Sequence, residues 1–232
     1  ALPIYFNGLA RMNKQTGTCQ DATSLLQGNL NAGKPKVSCI IEDKNKNLWV
    51  GTYGSGLYKI NLPTQHVTYY ESTRNENDDW SINRLPNDWI SYLLEDREGM
   101  IWIGTYKGLA VLNPQTDNFI NYKKQNNLLP GYVVYSLLES SNGEIWAGTS
   151  EGLVCLNKDR LTPVLFTTAD GLPSDIICGL AEDEKKNIWI STHQGISKLN
   201  PPEKKFINYY AGDGLQGNEF TRTAVFKDKR GK

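Results

Sequence analysis

The chain alternates short apolar runs with polar turns in a regular order. VSCIIED at 37–43 leads through a polar turn to LWVGT at 48–52, where β-branched and aromatic residues alternate with smaller ones. A Gly-Leu pair then opens a third apolar run, and a fourth follows at 66–70. Apart from a weak match at 20–30, no segment has the apolar spacing of an α-helix. The pattern predicts four short strands joined by tight turns.

The same four-strand pattern recurs along the chain, and its spacing predicts the architecture. Four tryptophans, Trp49, Trp102, Trp146 and Trp189, hold one position in it and are 53, 44 and 43 residues apart. Four-stranded units of 40 to 50 residues are typical of a β-propeller built of antiparallel blades. We therefore predict an all-β chain with full blades at 37–70, 90–122, 134–167 and 177–210.

The two ends of the chain resemble parts of a blade. Residues 4–13 resemble a second and third strand, and residues 223–232 resemble a first strand and its turn. Together they could form one composite blade, which would give about five units in a single domain over 1–232. The alternative is a fragment of a larger propeller. Residues 14–36 break the pattern and are predicted to be an irregular connecting loop.

Charge and known motifs exclude several classes of function. Lys and Arg together number 25, as do Asp and Glu, so the formal net charge is zero and no basic face for nucleic acid is expected. No run of 18 apolar residues occurs, so we expect no membrane span in this chain, and its first residues do not have the pattern of a signal peptide. His66 and His193 fall in different strand classes, and no set of residues has metal-ligand spacing. No metal and no cofactor are expected.

The repeated phrase carries a family resemblance. It reads LWVGTYGSGLYKIN at 48–61, IWIGTYKGLAVLN at 101–113, IWAGTSEGLVCLN at 145–157 and IWISTHQGISKLN at 188–200, usually after Glu-Asp. This phrase resembles the two-component regulator propeller repeat over about 37–232. The resemblance implies a periplasmic sensor region of a hybrid two-component histidine kinase, with the membrane helix and the kinase outside this chain. It also implies an oligosaccharide or another small molecule as ligand, and self-association of the full-length receptor.

Residues that recur in every repeat are interpreted as scaffold. The four repeat tryptophans could stack on sugars, but their identical placement on the second strand favours packing between blades. The acidic pairs Glu42-Asp43, Glu95-Asp96 and Glu182-Asp183 recur at the entry to a turn. We interpret them as solvated turn residues rather than as the paired carboxylates of a glycosidase.

Residues that depart from the repeat are the candidates for ligand binding. In a propeller, the loops between strands two and three lie on the same face as the loops that join blades, and that face is a common ligand site. Tyr53, Tyr106 and His193 follow the repeat's second strand there. The longest loop between blades, 72–88, adds Trp80 and Arg84, and Trp89 follows it. These six residues form the predicted ligand site, because an exposed indole and nearby polar groups suit a carbohydrate.

Two other functional hypotheses stay open. The first is an enzyme on a propeller scaffold, a lyase or a glycoside hydrolase, for which Asp175, Glu219 and His193 are the best available residues. The second is a structural or dimerisation propeller without a ligand.

Overall fold

The computed structural model describes residues 2–4, 8–26, 35–72, 84–122, 129, 133–158, 162–222 and 225. Its strands form five antiparallel sheets, and the helices in this part of the chain are short 3₁₀ helices at Thr23–Leu26, Thr168–Asp170 and Ala211–Asp213. The first sheet has three strands, and each of the others has four. The all-β prediction is therefore confirmed.

The four-stranded sheets are blades whose strands pair in sequence order. Blade 1 comprises β4 (Val37–Glu42), β5 (Asn47–Thr52), β6 (Leu57–Asn61) and β7 (Val67–Tyr70). Blade 2 comprises β8 (Ile90–Glu95), β9 (Ile101–Thr105), β10 (Gly108–Asn113) and β11 (Asn118–Tyr122). Blade 3 comprises β12 (Val134–Glu139), β13 (Ile145–Thr149), β14 (Gly152–Leu156) and β15 (Pro163–Phe166). Blade 4 comprises β16 (Ile177–Glu182), β17 (Ile188–Thr192), β18 (Gly195–Asn200) and β19 (Lys205–Tyr209).

The three-stranded sheet at the start of the chain corrects part of the sequence prediction. It contains β1 (Leu2–Ile4), β2 (Gly8–Met12) and β3 (Cys19–Asp21). The last strand and the 3₁₀ helix after it lie inside the segment 14–36, which the sequence predicts to be an irregular loop. The sequence does not predict this strand because all three of its residues are exposed and show no apolar alternation. Its conformation comes from pairing with β2. Of the predicted half-blade at 223–232, only Val225 is among the described residues.

The chain divides into two compact units, 1–121 and 122–232. In the first unit, β8 packs on β4 and β5, and a buried cluster around Trp49, Ile90 and Ile103 fills the space between blades 1 and 2. In the second unit, β16 packs on β12 and β13 over a cluster around Trp146, Ile177 and Ile190. Blades 1 and 3 thus bury their second strand against the first strand of the next blade in the same unit. This packing explains why the second strands of blades 1 and 3 are buried at every position.

Candidate functional site

The residue after each Gly-Thr or Ser-Thr pair lies beside the start of a first strand. Its backbone N–H donates to the carbonyl oxygen of the residue that precedes the strand, at 2.8 to 3.3 Å. The four pairs are Tyr53 with Lys36, Tyr106 with Trp89, Ser150 with Val133, and His193 with Ile176. The repeat therefore places two variable side chains next to each other at the same end of every blade.

In the first unit this arrangement brings three of the predicted site residues together. The ring centroids of Tyr53 and Trp89 are 6.1 Å apart, those of Tyr53 and Tyr106 are 6.1 Å apart, and those of Trp89 and Tyr106 are 5.5 Å apart. All three contacts are edge-to-face, which is a favoured geometry for aromatic pairs. Trp89 is 50% exposed, whereas both tyrosines are half-buried. We call Tyr53, Trp89 and Tyr106 the aromatic cluster.

The backbone holds Trp89 firmly from both sides. The carbonyl oxygen of Asp88 accepts hydrogen bonds from the N–H groups of Gly54 and Gly56, at 3.0 and 3.1 Å. The N–H of Trp89 donates to Asn87 Oδ1 at 3.0 Å, and Trp89 also forms a β-bridge with Tyr53. An exposed tryptophan with this much backbone support is positioned before any ligand arrives.

Gly54 is needed for the indole to lie where it does. Its φ is +88°, and a β-carbon there would lie 3.2 Å from Trp89 Nε1. The loop of blade 1, Tyr53-Gly54-Ser55-Gly56, is one residue longer than the corresponding loop Tyr106-Lys107-Gly108 of blade 2. In the longer loop two glycines, Gly54 and Gly56, donate to the carbonyl oxygen of Asp88, and Gly54 lies against the indole.

A side-chain hydrogen bond also fixes the loops between blades, and the repeat pattern did not predict it. An Asp or Asn side chain just before a first strand accepts the backbone N–H of a residue at the start of the same loop. The contacts are Ser72 N–H to Asp88 Oδ1 at 2.6 Å, Thr168 N–H to Asp175 Oδ1 at 2.7 Å, and Ala211 N–H to Asn218 Oδ1 at 2.7 Å. The signal was present as Leu-x-x-Asp or Leu-x-x-Asn at 85–88, 172–175 and 215–218. Asp175, a candidate acid of the enzyme hypothesis, therefore closes a loop.

Of the other predicted site residues, only Arg84 is both described and in the first unit, and no described contact joins it to the aromatic cluster. Arg84 is exposed, and its carbonyl oxygen accepts a hydrogen bond from Asn121 Nδ2 at 3.1 Å. Trp80 lies outside the described residues. His193 belongs to the second unit, where its backbone pairs with Ile176.

Two of the three aspartates of the acidic pairs are buried and not solvated, which corrects the sequence interpretation for them, whereas Asp183 is partly exposed. Asp43 and Asp96 are 4% and 1% exposed. Each accepts a hydrogen bond from the indole N–H of its own blade, at 2.8 Å from Trp49 and 2.8 Å from Trp102. In blade 4, Asp183 accepts from Trp189 at 2.9 Å. The sequence pattern could not distinguish this buried pairing from an exposed turn, because an aspartate begins a turn in both cases.

The hydrogen bonds decide the protonation of these aspartates. Burial alone would raise the pKa of Asp43, but the hydrogen bonds from Asn47, Trp49 and Asn45 together outweigh burial and lower it below 3.8. The pKa of Asp183 is lowered in the same way. Burial would raise this pKa, but the hydrogen bonds from Asn187 and Trp189 lower it by more. Both groups are therefore carboxylates at neutral pH.

Two of the three glutamates connect neighbouring blades, whereas Glu42 is exposed and pairs with Lys46 in its own turn at 3.0 Å. The Glu95 carboxylate accepts the backbone N–H of Lys44 at 3.1 and 3.2 Å. In the second unit, the Glu182 carboxylate accepts the N–H of Ser141 at 2.9 and 3.0 Å and its hydroxyl at 2.9 Å. These contacts assign Glu95 and Glu182 to the scaffold, together with the aspartates that follow them.

The described residues form neither a metal-binding group nor a membrane-spanning helix. No three His, Cys, Asp or Glu side chains in this part of the chain are grouped so that they could hold a metal ion. No helix within the described ranges is both long enough and apolar enough to cross a membrane.

Comparisons with solved structures identify relatives of the fold. The chain is 26% identical, with a TM-score of 0.82, to the extracellular domain of what is described as the hybrid two-component system BT3049 from B. thetaiotaomicron. The match covers 98% of this chain and 29% of that domain. The corresponding domain of BT4673 from the same organism is 20% identical with a TM-score of 0.64, over 77% of this chain and 25% of that domain. PorZ, a component of the type-IX secretion system of Porphyromonas gingivalis, is 16% identical with a TM-score of 0.69, over 94% of this chain and 33% of PorZ.

The family comparison agrees with the repeat pattern. No curated protein matches the sequence. The two-component regulator propeller family matches at residues 33–54, 84–107, 128–151 and 171–194. Each match covers the first two strands of one blade and ends at or just after the residue that follows the Thr of the repeated phrase. The chain therefore belongs to the two-component regulator propeller family.

Proposed function

We propose that this chain is part of the extracytoplasmic, ligand-sensing region of a hybrid two-component receptor. Its family and its likeness to the extracellular domain of BT3049 support this function. The chain spans less than a third of that domain, so the kinase, the membrane segment and the remainder of the sensor would belong to the parent protein. In this proposal the region lies in the periplasm, and the full-length receptor self-associates.

We further propose that the aromatic cluster binds the ligand and that the ligand is an oligosaccharide. The observation that carries this proposal is Trp89: it is 50% exposed although backbone contacts and two tyrosine rings hold it in place. A fixed, exposed indole loses little conformational freedom when a ligand binds. Its apolar face suits the C–H face of a sugar ring, and its N–H suits a sugar hydroxyl.

The spacing of the rings argues against a different ligand, a quaternary ammonium group. Aromatic cages for such cations surround the charge with ring faces. Here the centroids are only 5.5 to 6.1 Å apart and the rings contact one another edge-to-face, so the rings themselves fill the space between them. The cluster is therefore a platform for stacking.

Calorimetry with a panel of neutral oligosaccharides tests the site. We expect at least one oligosaccharide to bind the wild-type chain and Trp89→Ala to weaken that binding by roughly tenfold or more, because a lost stacking contact costs about 1.5 kcal/mol. Tyr210→Ala is the matched control, because Tyr210 is 40% exposed but belongs to the second unit. Equal losses for the two variants would reject the aromatic cluster as the site.

The same panel separates the other functions. Uniform absence of binding would favour the structural propeller without a ligand, and turnover of an oligosaccharide would favour the enzyme. In a receptor, the ligand must also bind one conformational state more tightly than the other in order to signal. A receptor that carries Trp89→Ala should therefore need a higher ligand concentration for the same kinase response.

A further inference from the structure

Blade 1 contains a polar cavity of about 430 Å³ on one face of its sheet. The cavity is lined by Asn47, Lys59, Asn61, Thr64, His66 and Thr68. Its volume is within the range of small-molecule sites, about 300 to 1,000 Å³. All of these lining side chains are polar, and none is a carboxylate. A second cavity in the same unit, of about 270 Å³, differs because Glu95 and Glu98 line it. The charge of the larger cavity therefore favours an anionic ligand.

Strand pairing places the hydrogen-bond donors of this cavity on one face of the sheet. Lys59 lies opposite Trp49 in β5 and opposite Thr68 in β7. Residues that are directly opposite share a face, and so do residues two apart along a strand. Asn61 and His66 are each two positions from this row, and the N–H of Asn61 donates to the carbonyl oxygen of His66 at 2.8 Å. The side chains of Lys59, His66 and Thr68 are thus neighbours on the cavity wall.

The ammonium group of Lys59 is held in place but keeps donors for a ligand. Its nitrogen lies 5.3 Å from the centroid of the Trp49 ring and donates to the carbonyl oxygen of Pro114 at 3.0 Å. An ammonium group has three N–H donors, and this hydrogen bond uses one of them. The other two have no acceptor among the described residues. Both partners are uncharged, so they position the ammonium group without neutralising it.

Two more donors in the cavity are left for a ligand. Neither the hydroxyl of Thr68 nor the ring of His66 forms a hydrogen bond with any residue that the structure describes. At the position of Thr68, blade 3 has Val164 and blade 4 has Ile207, each paired with the third strand in the same register. The packing of the blade therefore does not require a hydroxyl at this position.

We propose that Lys59, His66 and Thr68 bind a tetrahedral oxyanion, a phosphate or a sulfate group, in this cavity. Three donors on separate side chains match three oxygens of such a group, whereas a carboxylate has only two oxygens. The group belongs either to a free ion or to an ester of a small molecule. The cavity lies beside Asn47, the first residue of β5, whereas the aromatic cluster follows the last residue of that strand. The two sites are therefore at opposite ends of blade 1.

An NMR titration of the whole chain at constant ionic strength tests the proposal. The probes are inorganic phosphate, inorganic sulfate, glucose 6-phosphate, acetate and chloride. We expect at least one of the first three to shift the amide signals of residues 59–61 and 66–68 saturably, acetate to bind more weakly, and chloride to have no saturable effect. Tighter binding of glucose 6-phosphate than of inorganic phosphate would identify an ester as the ligand, and the reverse would identify the free ion.

Two substitutions in the cavity should weaken the binding. Lys59→Met should weaken it by roughly tenfold or more, because it removes a charge-assisted hydrogen bond while keeping the chain that packs on Trp49. Thr68→Val should weaken it by roughly threefold, because it removes the hydroxyl alone. The second variant has the residue that blade 3 carries at this position, so we expect it to fold like the wild type.

The matched control is Lys198→Met in blade 4. The Lys198 ammonium lies 5.7 Å from the centroid of the Trp189 ring, but Ile207 rather than a threonine is opposite it. This variant loses the same charge and should bind the probes like the wild type. Trp89→Ala should also leave the binding unchanged, which separates this cavity from the aromatic cluster.

Thermal unfolding shows whether each variant is folded, because Lys59→Met also removes the hydrogen bond to Pro114. The proposal fails if no phosphate or sulfate probe shifts these amide signals saturably. It also fails if Lys59→Met and Thr68→Val, both folded, bind as tightly as the wild type.

Discussion

Blade 3 differs from the other three blades in the contact that joins its first turn to its tryptophan. In blades 1, 2 and 4 an aspartate at the start of the turn accepts the indole N–H. Blade 3 has Ser140 at that position. Its hydroxyl contacts Asn142 and Glu144 within the turn, at 2.5 and 3.0 Å. The N–H of Trp146 is buried and has no acceptor among the residues that the structure describes.

The comparison shows how one residue can perform several structural tasks. Asp43 Oδ1 accepts the N–H groups of Asn45 and Asn47, and Oδ2 accepts Asn47 Nδ2 and Trp49 Nε1. The same carboxylate thus closes the turn and accepts the indole N–H of the buried tryptophan. In blade 3, Ser140 and Asn142 close the turn, but neither accepts the indole N–H of Trp146. A buried donor without a partner costs about 1 to 3 kcal/mol, so blade 3 should have the weakest turn.

The largest expected difference comes from removing the turn residue itself. Asp43→Ala should lower the free energy of unfolding by about 3 kcal/mol or more, because it removes four hydrogen bonds and leaves the Trp49 N–H buried. Ser140→Ala, the same change in blade 3, should cost about 1 kcal/mol, because the indole there has no partner to lose. Urea unfolding of both variants measures the difference. Similar losses would contradict the comparison.

Removing the indole N–H instead of its acceptor gives the next largest effect. Trp102→Phe and Trp146→Phe delete the same atoms from two buried positions. Only the first leaves a buried carboxylate, that of Asp96, without its donor, so it should cost about 2 kcal/mol more than the second. The unfolding free energies of the two variants test this expectation, and a larger loss for Trp146→Phe would reverse it.

Restoring the missing carboxylate should make blade 3 like the others. We expect Ser140→Asp to raise the free energy of unfolding by about 1 kcal/mol, because the new carboxylate can accept the Trp146 N–H. Ser140→Asn is the matched control, since it has the same shape without the charge and should gain less. Hydrogen exchange should show slower opening of 140–145 in Ser140→Asp. A variant no more stable than the wild type would show that blade 3 has adapted to its serine.

The smallest effect is on the dependence of stability on pH. The folded-state pKa values of Asp43 and Asp183 are lowered below 3.8, so both groups stabilise the fold above their unfolded pKa. That stability is lost as the pH falls below about 4 and the carboxylates bind protons. The melting temperature of Asp43→Ala should therefore fall less steeply between pH 5 and pH 2 than that of the wild type. Ser140→Ala should follow the wild type, because blade 3 has no carboxylate at this position.

Much of the candidate site was predictable because the repeat distinguishes recurring scaffold residues from positions that vary between blades. The positions after the second strand and before the first strand vary while their surroundings recur, and this variation identified Tyr53, Trp89 and Tyr106. The sequence did not show that these three would meet while Arg84 would not contact them. Arg84 precedes the strand by six residues, and the path of the loop between them depends on contacts such as that of Ser72 with Asp88.

The periodic pattern predicted the blades. It did not predict elements that form only through contacts with another part of the chain. The strand Cys19–Asp21 has no apolar pattern because it forms by pairing alone.

By itself, the sequence determined the all-β class, the four blades, the family and the turn residues, because each depends on local alternation and on a motif repeated in register. Only the tertiary structure decided which polar groups are buried. Asp43 and Asp96 occupy turn positions that would be exposed in an isolated hairpin, and in the folded chain they are buried and bind the indole of the next strand. Likewise, the sequence shows Ser140 where the other blades have aspartate, but only the folded chain leaves the Trp146 N–H buried without an acceptor among the described residues.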